Sequence, residues 1–188
     1  MTRMKGYYQQ PTSAAGWIAF VCEDDIWVVS TAASVPSSSG PAAVARRVTS
    51  GGGDHGGRYS APLFSPSGRL LAYTNSHSGA HELSVVPFDL RHGIVTGAPV
   101  QLTLSSAPAV LEPCRAVAWK RSEREIIFSA TARENGTYTW DGTTLYSVQI
   151  PPSILGGEGK GKHQEWHAVS LDAIQHVPTA ATMPSSTT

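Results

Sequence analysis

Short apolar runs alternate with polar positions along most of the chain, and Gly, Pro, Ser or Asp bounds nearly every run. A period of two is typical of a β-strand with one buried face, whereas a helix needs an i, i+3, i+4 stripe. The best helical window, Ala42 to Val48, is too short to count. The pattern predicts strands at Trp17 to Cys22, Ile26 to Ser30, Ala61 to Phe64, Arg69 to Asn75, Glu82 to Phe88, Pro99 to Leu104, Arg115 to Trp119, Glu125 to Thr131, Thr144 to Ile150 and Trp166 to Leu171.

Several of these segments repeat one another. Residues 64–73 contain a strand end, the tight turn Ser-Pro-Ser-Gly and a second strand, and residues 119–128 have the same outline. The strings Asp25-Ile-Trp-Val-Val29, Glu82-Leu-Ser-Val-Val86 and Thr144-Leu-Tyr-Ser-Val148 match in the same way. Three related units follow, with spacings of roughly 53 to 62 residues.

A repeat of this length made of four short antiparallel strands is typical of a β-propeller blade. The predicted fold class is all-β, with about three four-stranded blades over residues 1–150, at approximately 6–50, 51–104 and 105–150. Blade one lacks its innermost strand unless Tyr7 to Thr12 supplies it. Residues 151–164 are a Gly- and Lys-rich insertion, and 165–188 provide the last strand of blade three and a flexible tail.

Three blades leave the ring incomplete, because propellers close with about four to eight. The end blades would then expose apolar faces, which predicts self-association of the isolated chain. We expect its partners to be the remaining domains of a longer polypeptide or further copies of itself.

The composition is that of a globular domain, since 188 residues are 40% hydrophobic and 15% charged. Its 14 basic and 14 acidic residues give a net charge of zero. Nucleic acids and anionic membranes need a basic surface, so neither is expected as a partner.

The first residues carry no apolar stretch of secretory-signal length, and no apolar run approaches the roughly 20 residues of a spanning helix. Cys22 and Cys114 lie far apart and fit neither a disulfide scaffold nor a zinc knuckle. Two reduced thiols and a cytoplasmic location are expected.

No motif predicts a catalytic, cofactor or metal site. The chain has no Gly-x-Ser-x-Gly elbow. Glu23-Asp24-Asp25 is interpreted as a solvated hairpin turn, residues 51–57 as a flexible glycine connection, and His77 and His81 as parts of a polar turn. Asn135 begins a glycosylation sequon in form only. Six aromatic residues are predicted in the core between blades: Trp17, Trp27, Phe64, Tyr73, Trp119 and Phe128.

The N-terminal string through Glu23-Asp-Asp-Ile-Trp27 resembles the first propeller of tricorn-type proteases. Residues 60–73 are similar to the Pro-Asp-Gly repeat that those enzymes share with Tol-B-like proteins and the prolyl oligopeptidase group. Two departures stand out: Ser67 replaces the usual acidic residue, and the blade-three turn reads Lys-Arg-Ser-Glu-Arg, which makes that blade degenerate.

The resemblance implies an N-terminal propeller segment of a tricorn-like serine peptidase, acting as a channel or gate for peptides. Such enzymes place their nucleophile in C-terminal domains, so no catalytic residue is carried over to this chain. Four residues near the starts of innermost strands are candidates to face a pore, although solvated loop positions are the simpler interpretation: Arg58, Tyr59, Glu112 and Arg115. The alternatives are a non-enzymatic Tol-B-like scaffold for protein binding and the propeller cap of a prolyl oligopeptidase-like enzyme.

Overall fold

The computed structural model describes residues 7–34, 44–53, 57–103, 109–134, 137–138, 144–155 and 175–176. Within these ranges the regular structure is β-strand, apart from one 3-10 turn at Thr31–Ser34. No helix in the described part of the chain is long and apolar enough to cross a membrane. The all-β class predicted from the alternating pattern is confirmed.

Among the described residues every strand pairing is antiparallel, and the strands form three sheets, here called blades one to three. Blade one contains β1 (Gln9–Ala14), β2 (Trp17–Cys22), β3 (Asp25–Ser30) and β4 (Arg46–Arg47), in that order. Blade two contains β5 (Tyr59–Phe64), β6 (Leu70–Asn75), β7 (Glu82–Asp89), β8 (Ile94–Val95) and β9 (Val100–Gln101), with β8 and β9 both pairing with β7. Blade three contains β10 (Ala109–Trp119), β11 (Glu125–Glu134), β12 (Thr137–Tyr138), β13 (Thr144–Gln149) and β14 (Gln175–His176), with β12 beside β11.

The strand register confirms the internal repeat. Ile18 pairs with Val29, Leu71 with Val86 and Ile126 with Val148, so the second and third strands of each blade match in the alignment and in space. The innermost strand of blade one is Gln9–Ala14, which begins two residues after the start of the predicted segment Tyr7 to Thr12. Predicted strand Trp166 to Leu171 and sequon residue Asn135 lie outside the described residues.

Blade two is covered by apolar residues on both faces because successive strand residues point to opposite sides. One core joins it to blade one: Ala19, Ile26, Val28, Phe64, Leu71, Tyr73, Val86 and Phe88. The other joins it to blade three: Leu70, Ala72, Leu83, Val85, Val100, Leu102, Ala116, Ile126, Phe128, Ala130, Val148 and Ile150. The sheets therefore stack side by side as blades do, and the domain boundaries drawn from the sequence stay a prediction.

Blade three keeps the turn of blade two despite its different sequence. Gly68 N–H donates to the Ser65 carbonyl at 2.8 Å, and Glu123 N–H donates to the Lys120 carbonyl at 2.9 Å. Glu123 takes the left-handed position of Gly68, with φ of 56° against 75°. Its carboxylate accepts hydrogen bonds from the Ser67 amide and, at 2.7 Å, from the Ser67 hydroxyl. The residue that departs from the repeat pattern thus ties the two blades together.

Trp27 was expected in a core between blades and lies instead on the outward face of blade one. Ile26 and Val28 point towards blade two, so the strand alternation sends Trp27 to the opposite side. There it lines an apolar cavity of about 250 Å³ with Phe20, Val29 and other residues. The other five aromatic residues pack in or against the two cores, as predicted.

The acidic turn of blade one is not fully solvated, because Asp25 is 1% exposed. Its carboxylate pairs with Arg47 and accepts hydrogen bonds from the Thr49 hydroxyl at 2.7 Å and the Gly52 amide at 3.2 Å. A side chain on Gly52 would come within 2.3 Å of the Asp24 carbonyl oxygen. Gly52 therefore packs tightly and helps to hold Asp25, whereas Gly53 is exposed with open space around it. The interpretation of the whole segment as a flexible connection stays a prediction, because residues 54–56 lie outside the described residues.

Glu125 lies at the start of β11 and forms an ion pair with Lys120 at 2.5 Å. Gln149 donates a hydrogen bond to the second carboxylate oxygen at 3.0 Å. Burial raises the pKa of the Glu125 carboxyl, but the hydrogen bonds from Lys120, Ser147 and Gln149 and the Lys120 charge outweigh it, so the pKa lies below its ordinary value. The ionised form is therefore the one that stabilises the folded state.

Replacing Leu83 by Ala is expected to lower the free energy of unfolding by about 2–5 kcal/mol, because the removed atoms leave a cavity between blades. Leu83 is fully buried, whereas Leu145 is 41% exposed and gives the matched control. Urea unfolding followed by tryptophan fluorescence measures both variants. Equal losses at the two positions would contradict the stacked-blade core.

Glu125→Gln is expected to flatten the acid dependence of stability. Because the folded pKa is lowered, the contribution of Glu125 is complete above its unfolded pKa and is lost as the pH falls through the folded value. The wild type should therefore lose more unfolding free energy than the variant below about pH 4.5. Urea titrations between about pH 3 and pH 6 would measure the unfolding free energy of both proteins. Glu23→Gln is the control, because Glu23 is exposed. The same pH dependence of stability in the wild type and in Glu125→Gln would refute the prediction.

Candidate functional site

The innermost strands of the three blades share a β-bulge at the same place. The pairing shifts by one residue between Gln9 and Thr12 in β1 and between Ser60 and Leu63 in β5. The corresponding shift in β10 falls between Ala116 and Ala118. A bulge adds one unpaired residue to its strand and bends it, and it is common beside functional sites.

Proline and a left-handed residue form the first two bulges. Gln10 has φ of 51° and precedes Pro11, and Ala61 has φ of 48° and precedes Pro62. Proline has no N–H to give to a strand ladder, so a bulge is one of the few places in a sheet where it fits. The Ala61 amide donates to Gln10 Oε1 at 2.5 Å, which links the two bulges across the blades.

These bulges surround a cavity of about 390 Å³ where the first strands of the three blades meet. We call it the axial groove. It is lined by the same positions of consecutive strands, together with one residue of β11: Gln10, Pro11, Thr12, Ala61, Pro62, Leu63, Arg115, Ala116 and Ser129.

Arg115 is the one charged residue among those that line the described axial groove, and it is exposed. It lies opposite Ser129 in the pairing of β10 and β11. A serine nucleophile needs a neighbouring base, and the described lining contains no His, Asp, Glu or Lys. The groove thus offers a guanidinium, hydroxyl and amide groups and proline faces, which is a set of binding groups.

The four residues proposed from the sequence to face a pore separate in the structure. Arg115 lines the axial groove. Tyr59 does not, because its ring packs against the core between blades one and two and meets Tyr73 edge to face at 5.7 Å. Arg58 lies 3.8 Å from an Asp24 carboxylate oxygen, in an exposed pair. Glu112 is in β10, and its side chain lies outside the described residues.

The polar turn after β6 is built around His77. Its ring contacts the Tyr59 ring at an interplanar angle of 44°, with centroids 4.7 Å apart, and Nδ1 lies 2.7 Å from Asn75 Oδ1. Nε2 lies 3.1 Å from the Gly51 carbonyl oxygen, so this turn joins blade two to the glycine segment. In the described ranges, no group of three or more His, Cys, Asp or Glu side chains is placed to hold a metal ion.

Cys22 is a free, buried thiol on the outward face of blade one. Burial and the nearby charge of Glu23 raise its pKa, which keeps it protonated. A raised pKa lowers the fraction of the thiol present as the reactive thiolate. Cys22 therefore behaves as a packing residue, as expected from the sequence; the side chain of Cys114 lies outside the described residues.

The sequence analysis missed Gln10 and the two bulge prolines. Pro11 and Pro62 lie 51 residues apart, each within the strand that precedes the repeated second strand, so the signal is present in the spacing. The alternating pattern does not reveal it, because alternation marks a strand, as in the predicted Ala61 to Phe64, without showing where an extra residue enters the pairing.

Two solved structures are similar to the chain in outline. The first is the putative TolB from Agrobacterium tumefaciens, with a TM-score of 0.44 and 16% identity, over 80% of this chain and 47% of that one. The second belongs to a study of two prolyl endopeptidases, with a TM-score of 0.40 and 13% identity, over 78% of this chain and 27% of that one. The chain thus spans about half of the first structure and about a quarter of the second. No family model and no curated protein matches the sequence.

Gln10→Ala is expected to lower the free energy of unfolding by about 1 kcal/mol, because the Ala61 amide loses its acceptor. Alanine has a Cβ as glutamine does, so the substitution does not change the steric strain of the left-handed backbone at residue 10. Gln9→Ala is the matched control, since Gln9 is exposed and its side chain makes no described hydrogen bond. Urea unfolding compares the two, and an equal effect would show that the link between the bulges contributes nothing.

Proposed function

We propose that these blades belong to the propeller of a tricorn-like serine peptidase, where they guide peptides along the propeller axis without cleaving them. The axial groove is the observation that carries this proposal. It lies where three innermost strands meet, which is where the channel of a closed propeller runs.

The groove is suited to an extended chain. The bulges at Pro11 and Pro62 interrupt regular pairing on the axial side, and the half-buried Ser129 and Thr12 supply hydroxyl groups beside the proline faces. An extended peptide carries regularly spaced backbone groups that such a surface can bind without strict side-chain selection.

Arg115 supplies the charge for this role. A guanidinium holds a carboxylate in a bidentate pair, and every unblocked peptide ends in one. No ion pair joins Arg115 to another described residue, which leaves it available for a peptide carboxylate.

The rest of the ring is proposed to come from a longer polypeptide, with further copies of this chain as the other source. The outward face of blade one supports this, because Phe20, Trp27 and Val29 line an apolar cavity there with no fourth sheet of the described chain against it. The cytoplasmic location expected from the sequence stays a prediction.

Arg115→Ala is expected to weaken binding of a short fluorescein-labelled peptide with a free C-terminus by roughly tenfold, because the guanidinium–carboxylate pair on the groove surface is lost. The same peptide with an amidated C-terminus should bind the wild type and the variant equally. Fluorescence anisotropy measures all four combinations, and the exposed Arg121→Ala is the control for net charge.

Three outcomes would count against the proposal. Equal binding of both peptides by the wild type would show that Arg115 does not bind the peptide carboxylate. Absence of binding to any peptide, with capture of a folded protein instead, would favour the Tol-B-like scaffold. Turnover of a fluorogenic peptide that a serine-directed inhibitor abolishes would place the chemistry within this chain.

A further inference from the structure

A second cavity lies between blades two and three and shares no lining residue with the axial groove. It has a volume of about 680 Å³, within the range of small-molecule sites in proteins. Its walls come from the turn between β5 and β6, the loop after β7 and the equivalent turn of blade three. We call it the inter-blade cavity.

Three arginines line this cavity: Arg69, Arg91 and Arg124. Arg69 and Arg124 each follow the left-handed residue of their turn, Gly68 and Glu123, so consecutive blades present the same side chain to one space. Arg91 enters from the loop after β7.

None of the three guanidinium groups is used by the fold. Their backbone groups take part in turns, but no described hydrogen bond or ion pair involves their side chains. By contrast, Arg47 forms an ion pair with Asp25, and Arg58, just before blade two, forms one with Asp24. Three unpaired guanidinium groups around one cavity form a positive cluster that an anion would neutralise.

Two carboxylates also line the cavity, and each is bound to its own donors. Asp89 lies 2.5 Å from His92 Nδ1 and accepts the Arg91 amide at 2.7 Å. Glu123 accepts the Ser67 amide and hydroxyl. Neither is paired with an arginine, and the three arginines leave the lining with an excess of positive charge.

Part of the cavity lining is apolar, and we call this part the apolar wall. Pro87, Leu90, Ile154 and Leu155 line it, and Leu155 is 39% exposed. We propose that the inter-blade cavity binds a small organic anion, whose phosphate or carboxylate head pairs with the arginines and whose apolar body lies against this wall. The site is separate from the axial groove and does not depend on the peptide role.

Isothermal titration calorimetry with phenyl phosphate and with benzoate tests the site and distinguishes the two head groups. At least one of them should bind the full chain, with weaker binding as salt rises. Phenol, which lacks the charged head, should not bind. Inorganic phosphate should bind more weakly than phenyl phosphate because it lacks the apolar body.

Arg69→Gln and Arg124→Gln should each weaken binding of the better ligand by roughly tenfold, and Arg121→Gln should not. Arg121 is exposed in the same turn but does not line the cavity, so it matches the charge change. Near-UV circular dichroism confirms that each variant is folded. The proposal fails if neither anion binds, or if binding survives unchanged in both arginine variants. Equal affinity for inorganic and phenyl phosphate would overturn the contribution of the apolar wall.

Discussion

The structure depends on the need to cover both faces of a thin sheet. In β6, Leu70 and Ala72 point to blade three, whereas Leu71 and Tyr73 point to blade one. Such a strand cannot be half exposed to water without a large loss of buried apolar area. Stacking on both sides solves this, and it also brings the first strands together at the axis and the turns together at one end. The axial groove and the inter-blade cavity both result from that arrangement.

The strands and their repetition could be predicted because alternation and turn residues are local signals. The side of the sheet to which a residue points is harder to predict, since it depends on which neighbour covers each face. Trp27 shows the limit: its aromatic type suggested the core, but Ile26 and Val28 already point inward. Asp25 shows another limit, because its partners Arg47, Thr49 and Gly52 come from a segment more than twenty residues away.

The bulges explain why the axial residues were only partly predicted. Tyr59 and Leu63 are four residues apart and would share one face of a regular strand. The extra residue at Ala61 and Pro62 shifts the phase, so Tyr59 packs towards blade one and Leu63 towards blade three. A hydrophobic pattern cannot show such a shift, because one extra residue in a strand cannot be distinguished from a polar or apolar substitution that breaks the alternation. Arg115 lies between two such shifts, from Glu112 to Arg115 and from Ala116 to Ala118, so its place beside the groove depends on the strand pairing and not on the alternating pattern.

The bond between Glu123 and Ser67 has a consequence for how the blades evolve. An acidic residue at position 67, as in the usual form of the repeat, would set its carboxylate against that of Glu123, and like charges at this distance repel. The two turns are therefore coupled, because an acid at position 67 in blade two is favoured only where position 123 in blade three carries no acid. The residue that suits the turn of one blade thus depends on the turn of its neighbour.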